Sequence, residues 1–456
     1  MNSPLDSAAV GRIEAVALGR EYVTRRCIAI HDLLGAPVAE MAVAPPVYIH
    51  STIGMMRAAP VLSLTEIHAA MARAADSFQY EAVAGLSPEA YCQRVRRTTG
   101  LPAAVTQNAL AVIAEALREM PQIIEAGRPQ GACWSRYDAQ AQAGCSLFSR
   151  KGDIFAVLAA GNGPGIHALW PQAVALGYRA LVRPSTREPF TAQRVVCAMV
   201  QAGLAHYVAL IPTDYHGVDE LVELADLTLA YGGQDIVDKY RLHPRVRVQG
   251  PGRAKIVVGA DACLDEAAAL VARSMTDLGG AACVSASAVL VEGDTHDFCR
   301  RLRLALQQLP PETLPRASRH TVDWLSSVLG SPVAANATPE GYVLHPLVTE
   351  VTEPDDPQVQ RELPFPCVTV APYQAMRSAP MLSGSLAVTV FSRQAQLLVP
   401  ILADASISNI YVGDIPTTWM AHSVPHDAYL SDFLMCNRGF RVAPSWAESK
   451  TKGETW

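Results

Sequence analysis

The chain has 456 residues, a mass of 48.8 kDa and a formal net charge of -6. That length is roughly three times a common domain, so two or three packed units are expected. A hydrophobic share of 50% with only 18% charged residues excludes a disordered or coiled-coil chain. An acidic chain with no Lys/Arg block is no general nucleic-acid binder. The start, Met1-Asn2-Ser3-Pro4-Leu5-Asp6, lacks the basic and apolar stretches of a signal peptide. No run approaches the ~18 apolar residues of a membrane span. Ten cysteines are scattered without a CxxC pair, and twelve histidines without metal-ligand spacing. No metal and no disulfide framework are therefore expected, and a reduced, cytoplasmic setting fits.

In chain order, residues 1–130 read mostly as helix. The stretches 63–78 and 102–120 carry apolar residues at helical spacing, and Ser63 with Glu66 has the pattern of a capping box. Residues 131–150 are short, polar and alternating, which predicts a hairpin or arm. Residues 153–160 (DIFAVLAA) form a continuous apolar run, the pattern of a buried parallel strand. The run ends in Gly161-Asn162-Gly163-Pro164-Gly165. From there helix and strand alternate: helix 167–176, strand 180–183, helix 189–202, strand 207–211, helix 217–225 and strand 227–231. Short strands at 245–249 and 255–258 complete a doubly wound α/β sheet. A second α/β unit begins near 262, with helix 264–277, the segment Gly279-Gly280-Ala281-Ala282-Cys283 and strand 287–291. A helix at 297–308 and strands at 367–371 and 386–391 follow. The tail 446–456 is polar and reads as loose.

Four places carry chemistry in this pattern. Cys283 lies among small residues between a helix and an apolar strand, where backbone N–H groups can support a thiolate and an oxyanion; the plainer alternative is a buried structural cysteine. Asn162 sits in the loop after the first parallel strand, at the sheet edge where ligands bind, or is an ordinary turn asparagine. Gly232-Gly233, between a strand and a helix, can seat a phosphate or simply make a tight turn. Arg183 and Arg187 flank Ser185 and Thr186 at a strand end and suit a phosphate, or face solvent. His167 near the Asn162 loop reads as a satisfied helix-start histidine.

The order and spacing of these segments resemble the aldehyde dehydrogenase superfamily. GNGPGIHALWPQAVALGYRALVRPSTREPFTA (161–192) resembles its oxyanion-asparagine loop and following strand. VQGPGRAKIVV (248–258) resembles the Glu-Leu-Gly-Gly-Lys segment, and GGAACVSASAVLV (279–291) the nucleophile segment. RELPFPCVTV (361–370) and SLAVTVFS (385–392) resemble the Glu-x-Phe-Gly-Pro segment and its sequel. The resemblance implies two doubly wound α/β domains: a Rossmann-like cofactor domain (1–130 and 151–261) and a catalytic domain (262–428). It adds an oligomerisation flap (131–150 and 429–456) and hence a homodimer or homotetramer. It implies that Cys283 attacks a carbonyl carbon and that Asn162 and the Cys283 N–H hold the oxyanion. Arg183, Ser185, Thr186, Arg187, Gly232, Gly233 and Glu362 would bind NAD or NADP, with Glu362 on the nicotinamide ribose.

Two departures refine this expectation. Hydrolytic members carry a glutamate that activates water, and the matching position here is Gln249, followed by Gly250. An amide cannot act as that base. AYGGQDIV (230–237) also resembles the long-chain acyl-CoA reductases of bacterial bioluminescence. The expected reaction is therefore reduction of an acyl-CoA or acyl carrier protein thioester to an aldehyde by NAD(P)H, or its reverse. The alternative is an ordinary aldehyde oxidiser whose base comes from elsewhere, Glu292 or Glu362; a protein of this fold without redox activity, and a semialdehyde or acyl-phosphate reductase, are further alternatives. The family's ribose-binding lysine corresponds to Arg183, and its nearby glutamate to Thr186 beside Arg187. Losing an acid and gaining a base favours NADP.

Overall fold

The computed structural model describes residues 11–446. Its first sheet has seven strands, in the order Val246–Gln249, Leu227–Tyr231, Ile154–Leu158, Arg179–Arg183, Val208–Leu210, Ala15–Ala17 and Arg20–Tyr22. The first five are parallel, and every residue of Ile154–Leu158 is buried. Helices cover both faces, which is why this strand is apolar throughout rather than alternating. From Ile154–Leu158 the chain first builds outward through Arg179–Arg183, then returns to the other side at Leu227–Tyr231. The order reverses between those neighbours. The Asn162 loop and Gly232-Gly233 both leave the carboxyl edge at this switch point, the usual place for a ligand crevice in such sheets.

The second sheet has six strands, in the order Leu347–Glu350, Cys367–Pro372, Ala286–Val291, Ala254–Val258, Ala387–Phe391 and Asn409–Val412. All neighbouring pairs are parallel. A three-stranded sheet joins Met435–Phe440 antiparallel to Cys145–Arg150, with Ala132–Cys133 parallel on the far side.

Two expectations are corrected. Residues 11–42 are strands rather than helix, and helices begin at Pro46–Ala58. Two of these strands extend the first sheet, while Gly11–Ile13, Pro37–Ala42 and Cys27–His31 form a small sheet of their own. Alanine, methionine and glutamate in Pro37–Ala42 favour helix intrinsically, but sheet pairing and burial override that preference. Second, Ala254–Val258 belongs to the second sheet, so the chain crosses between sheets at 250–253 rather than near 262. Gly250-Pro251-Gly252 interrupts any continuous strand there. Residues 131–150 take the arm form rather than the hairpin: Cys145–Arg150 pairs antiparallel with Met435–Phe440, joining the two segments of the expected flap. The expected loose tail lies almost wholly outside the described residues, as do residues 1–10.

The helical expectations at 63–78 and 264–277 correspond to Leu64–Tyr80, with the Ser63–Glu66 capping box formed, and Leu264–Thr276. Among the described residues no helix is long and apolar enough to cross a membrane.

Candidate active site

Cys283 stands just before Ala286–Val291, at the amino edge of the second sheet. Its loop is placed by backbone contact. Gly280 has a φ of +68°, and a Cβ there would lie 2.2 Å from the Pro366 nitrogen. A Cβ on Gly252, in the crossover between sheets, would lie 2.0 Å from the Cys283 carbonyl oxygen. Glycine is required at both positions, by left-handed backbone at the first and close approach at both. Cys283 itself is half-buried, and its backbone N–H has no acceptor among the described residues.

Asn162 reaches this loop from the carboxyl edge of the first sheet. Its Nδ2 donates to the Ala281 carbonyl at 2.9 Å, and its Oδ1 is buried without a partner. The amide therefore stands beside the nucleophile loop with one N–H still free, in the company of the free Cys283 N–H. Two such donors suit the oxygen of a carbonyl whose carbon is attacked by sulfur. His167, in the next turn, is fully buried; Trp170 Nε1 donates to its Nδ1 at 2.9 Å. Burial pushes its pKa down to about 3, so it is a neutral structural group and not a participant.

The sequence pattern did not single out the group nearest to the thiol. His426 Nε2 lies 3.7 Å from Cys283 Sγ. Its Nδ1 faces Asp427 Oδ1 at 3.8 Å, longer than a hydrogen bond. Asp427 accepts from Gln249 Nε2 at 3.1 Å and pairs with Arg247 at 3.3 Å. Asn409 anchors the loop by donating to the His426 carbonyl and to the Leu386 carbonyl. Burial works against a charged His426, but Asp427 and Cys283 outweigh it and raise its pKa to about 10. Asp427 is held below the ordinary carboxylate range: burial opposes this, and His426 and Arg247 prevail. Tyr231 completes the surroundings, and burial keeps its phenol protonated well above the usual range.

The remaining expected residues divide into two places. Arg183, Ser185, Thr186 and Arg187 lie together at the carboxyl end of Arg179–Arg183. Ser185 Oγ accepts from the Arg187 N–H at 3.1 Å, and Thr186 is exposed. A Cβ on Gly161 would lie 2.3 Å from Ser185 Oγ, so this turn packs directly on the Asn162 loop. Neither arginine has an ion-pair partner among the described residues. Arg183 Nε is buried with no acceptor, and burial lowers the pKa of its guanidinium. Gly232 and Gly233 lead into Gln234–Tyr240, with no side chain capping that helix. Glu362 lies apart, toward the second sheet: it accepts from the Arg253 N–H at 2.6 Å and borders a small cavity with Gly280 and Ala282. Burial raises its pKa.

Glu292 is excluded as a base near the nucleophile. It follows the far end of Ala286–Val291, roughly 20 Å along the strand at about 3.3 Å per residue. There it accepts from Ala260 and Gln394. Among the described residues no group of His, Cys, Asp and Glu is placed to hold a metal ion.

Residues 89–427 match the aldehyde dehydrogenase family. The chain belongs to that family. Malonate-semialdehyde dehydrogenase 1 of Geobacillus kaustophilus is similar, with 28% identity over 160 residues. That match spans 32% of each chain. The γ-glutamyl-γ-aminobutyraldehyde dehydrogenase of Burkholderia cenocepacia shares the fold, with a TM-score of 0.79 and 16% identity over 94% of this chain and 96% of its own. An indole-3-acetaldehyde dehydrogenase in complex with NAD+ gives a TM-score of 0.78 at 16% identity, over 95% and 97% of the two chains. The family is one of NAD(P)-dependent oxidoreductases acting on aldehydes, and the matched span includes both Asn162 and Cys283.

For the dinucleotide such an aldehyde dehydrogenase uses, the residues present fit. A buried Arg183 nitrogen without an acceptor and a second unpaired arginine stand at the switch point, ready for an anion. The adjacent His426-Asp427 has no metal-ligand spacing, and its contact with Cys283 leaves no local pattern in the sequence.

Proposed function

We propose that the protein oxidises an aldehyde to a carboxylic acid through a thioester on Cys283, with NAD(P)+ as hydride acceptor. One observation supports the reading: the Asn162 amide bonds the loop that carries Cys283, whose sulfur has an imidazole 3.7 Å away. Cys283 attacks the carbonyl carbon, and the resulting oxyanion is held by Asn162 Nδ2 and the Cys283 N–H. When bound, the nicotinamide accepts hydride from the carbon attached to sulfur. Arg183 and Ser185 would hold the adenosine end of the dinucleotide. Arg187, with Thr186 in place of an acid, favours the 2′-phosphate of NADP. Gly232 and Gly233 would seat its diphosphate, and Glu362 would bind its nicotinamide ribose. Relatives named for aldehyde oxidation support this direction.

The test incubates the purified protein with an aldehyde panel and NAD+ or NADP+, without and with coenzyme A, following reduced-cofactor absorbance. Aldehyde-dependent reduction without coenzyme A, lost in Cys283→Ala, is the expected result. Clear preference for NAD+ would overturn the part assigned to Arg187.

Gln249 favours a second reading, reduction of an acyl-CoA or acyl carrier protein thioester by NAD(P)H. No carboxylate stands where the hydrolytic glutamate of the family would, so the acyl group would leave to a thiol rather than to water. Thioester-dependent consumption of NAD(P)H, with no aldehyde oxidation unless coenzyme A is added, would select this reading over the first.

A further inference from the structure

The sulfur, imidazole and carboxylate of Cys283, His426 and Asp427 stand in the order of a nucleophile, its base and the group that orients the base. Nε2 is 3.7 Å from the sulfur, and Nδ1 faces the carboxylate at 3.8 Å with no hydrogen-bond partner of its own among the described residues. A ring movement of under about 1 Å closes that gap to hydrogen-bond length. The carboxylate is fixed from behind by Gln249 and Arg247, and the loop by Asn409. About a fifth of the His426 side chain stays open, at 20% relative exposure, which gives its proton a way out. The position that carries the family's water-activating glutamate thus carries a strut for a different acid.

The geometry points to His426 as the acid–base residue of this site, carrying the Cys283 proton before attack and taking a proton from water when the acyl group is released, with Asp427 as its positioning residue. This rests on the thioester chemistry proposed above. The proton balance closes. The thiol proton moves to Nε2, leaving thiolate and imidazolium. The thiolate forms the C–S bond and an alkoxide; loss of hydride to the oxidised nicotinamide restores the C=O as a thioester. The sulfur is then uncharged. The imidazolium has lost one of the two anions that held its proton and releases it to solvent. Neutral Nε2 next accepts a proton from water as the water oxygen bonds to the acyl carbon. The C–S bond breaks, and thiolate and imidazolium are restored. The groups facing His426 are Cys283 and Asp427, with Arg247 and Tyr231 behind them.

The first test needs no substrate. The intact protein is treated with iodoacetamide at pH 7, and modification of Cys283 is followed by peptide mass spectrometry, with exposed Cys263 as internal reference. His426→Ala and His426→Gln are expected to slow modification at Cys283 about tenfold and leave Cys263 unchanged. Asp427→Asn should slow it less, and Asp427→Glu should restore most of the rate. Thermal melting identifies which variants are folded, and His426→Gln carries the test if His426→Ala is not. A native rate at Cys283 in a folded His426 variant overturns the assignment.

The second test mixes aldehyde and oxidised cofactor with His426→Gln and measures the mass of Cys283. An acyl adduct hydrolysed about 10²-fold more slowly than in the native protein is expected, and free imidazole should restore turnover to His426→Ala. If the native protein oxidises no aldehyde while the alkylation contrast holds, the proposed function and the step to water fall, and His426 keeps only its role as carrier of the Cys283 proton. If it oxidises aldehyde and His426→Gln matches it in both tests, the role of His426 falls alone.

Discussion

His167, in the segment that follows Asn162, and His426, beside the nucleophile, are held in opposite electrical states. His167, in the segment after Asn162, is sealed from solvent and kept neutral, its pKa pushed to about 3. His426 is raised to about 10 because an acid and a thiol face it. Burial alone therefore does not set the charge of an imidazole; its partners do. The difference extends to the loops. The side of the site built by Asn162, Gly252 and Gly280 is fixed by shape, backbone against backbone. The side built by His426, Asp427, Arg247 and Gln249 is fixed by charge and hydrogen bonds. Errors on the first side should be severe and indifferent to salt or pH, and errors on the second graded.

The sharpest way to break this contrast is Gly280→Ala. A Cβ 2.2 Å from the Pro366 nitrogen, on left-handed backbone, must displace the nucleophile loop. Loss of measurable activity and about 3 kcal/mol of stability in denaturant unfolding are expected; a native-like variant would show that the loop is not fixed by shape. Asn162→Ala is next. Removal of an oxyanion donor should lower kcat about 10²- to 10³-fold with little change in KM, read in steady-state kinetics.

Gln249→Leu tests the charged side. It removes the 3.1 Å bond to Asp427 but leaves Arg247 in place. A fall of about tenfold in kcat, smaller than for Asn162→Ala, is expected from loosening a group two steps from the chemistry. A last effect, read in stability rather than in rate, concerns His167. With a native pKa of about 3 against an ordinary 6.5, the unfolded chain binds the extra proton between those values. Stability therefore falls as pH drops through 6.5, by about 2 kcal/mol between pH 7 and 5. His167→Gln, which keeps an acceptor for Trp170, should flatten that part of the melting-temperature profile.

What the sequence made legible follows the same division. Ile154–Leu158 was readable because burial on both faces makes every residue apolar, and the small residues around Cys283 were readable because close approach demands them. The strands at 11–42 were not, since runs as short as Ala15–Ala17 and Arg20–Tyr22 are below the length at which period-2 alternation stands out. The crossover at 250–253 was misplaced because strands on either side of it look alike whichever sheet they join. His426 was invisible for a different reason: its meaning lies in a sulfur 143 residues away, and no local pattern marks that contact.

The hydrogen bond from Gln249 to Asp427 also constrains which residue position 249 can hold. A glutamate at 249 would set a second carboxylate about 3 Å from the first, and two such groups cannot both ionise cheaply. Asp427 therefore opposes an ionised acid at its neighbour, and Gln249→Glu is accommodated only together with Asp427→Asn. An amide at 249 and a carboxylate at 427 are one choice, not two.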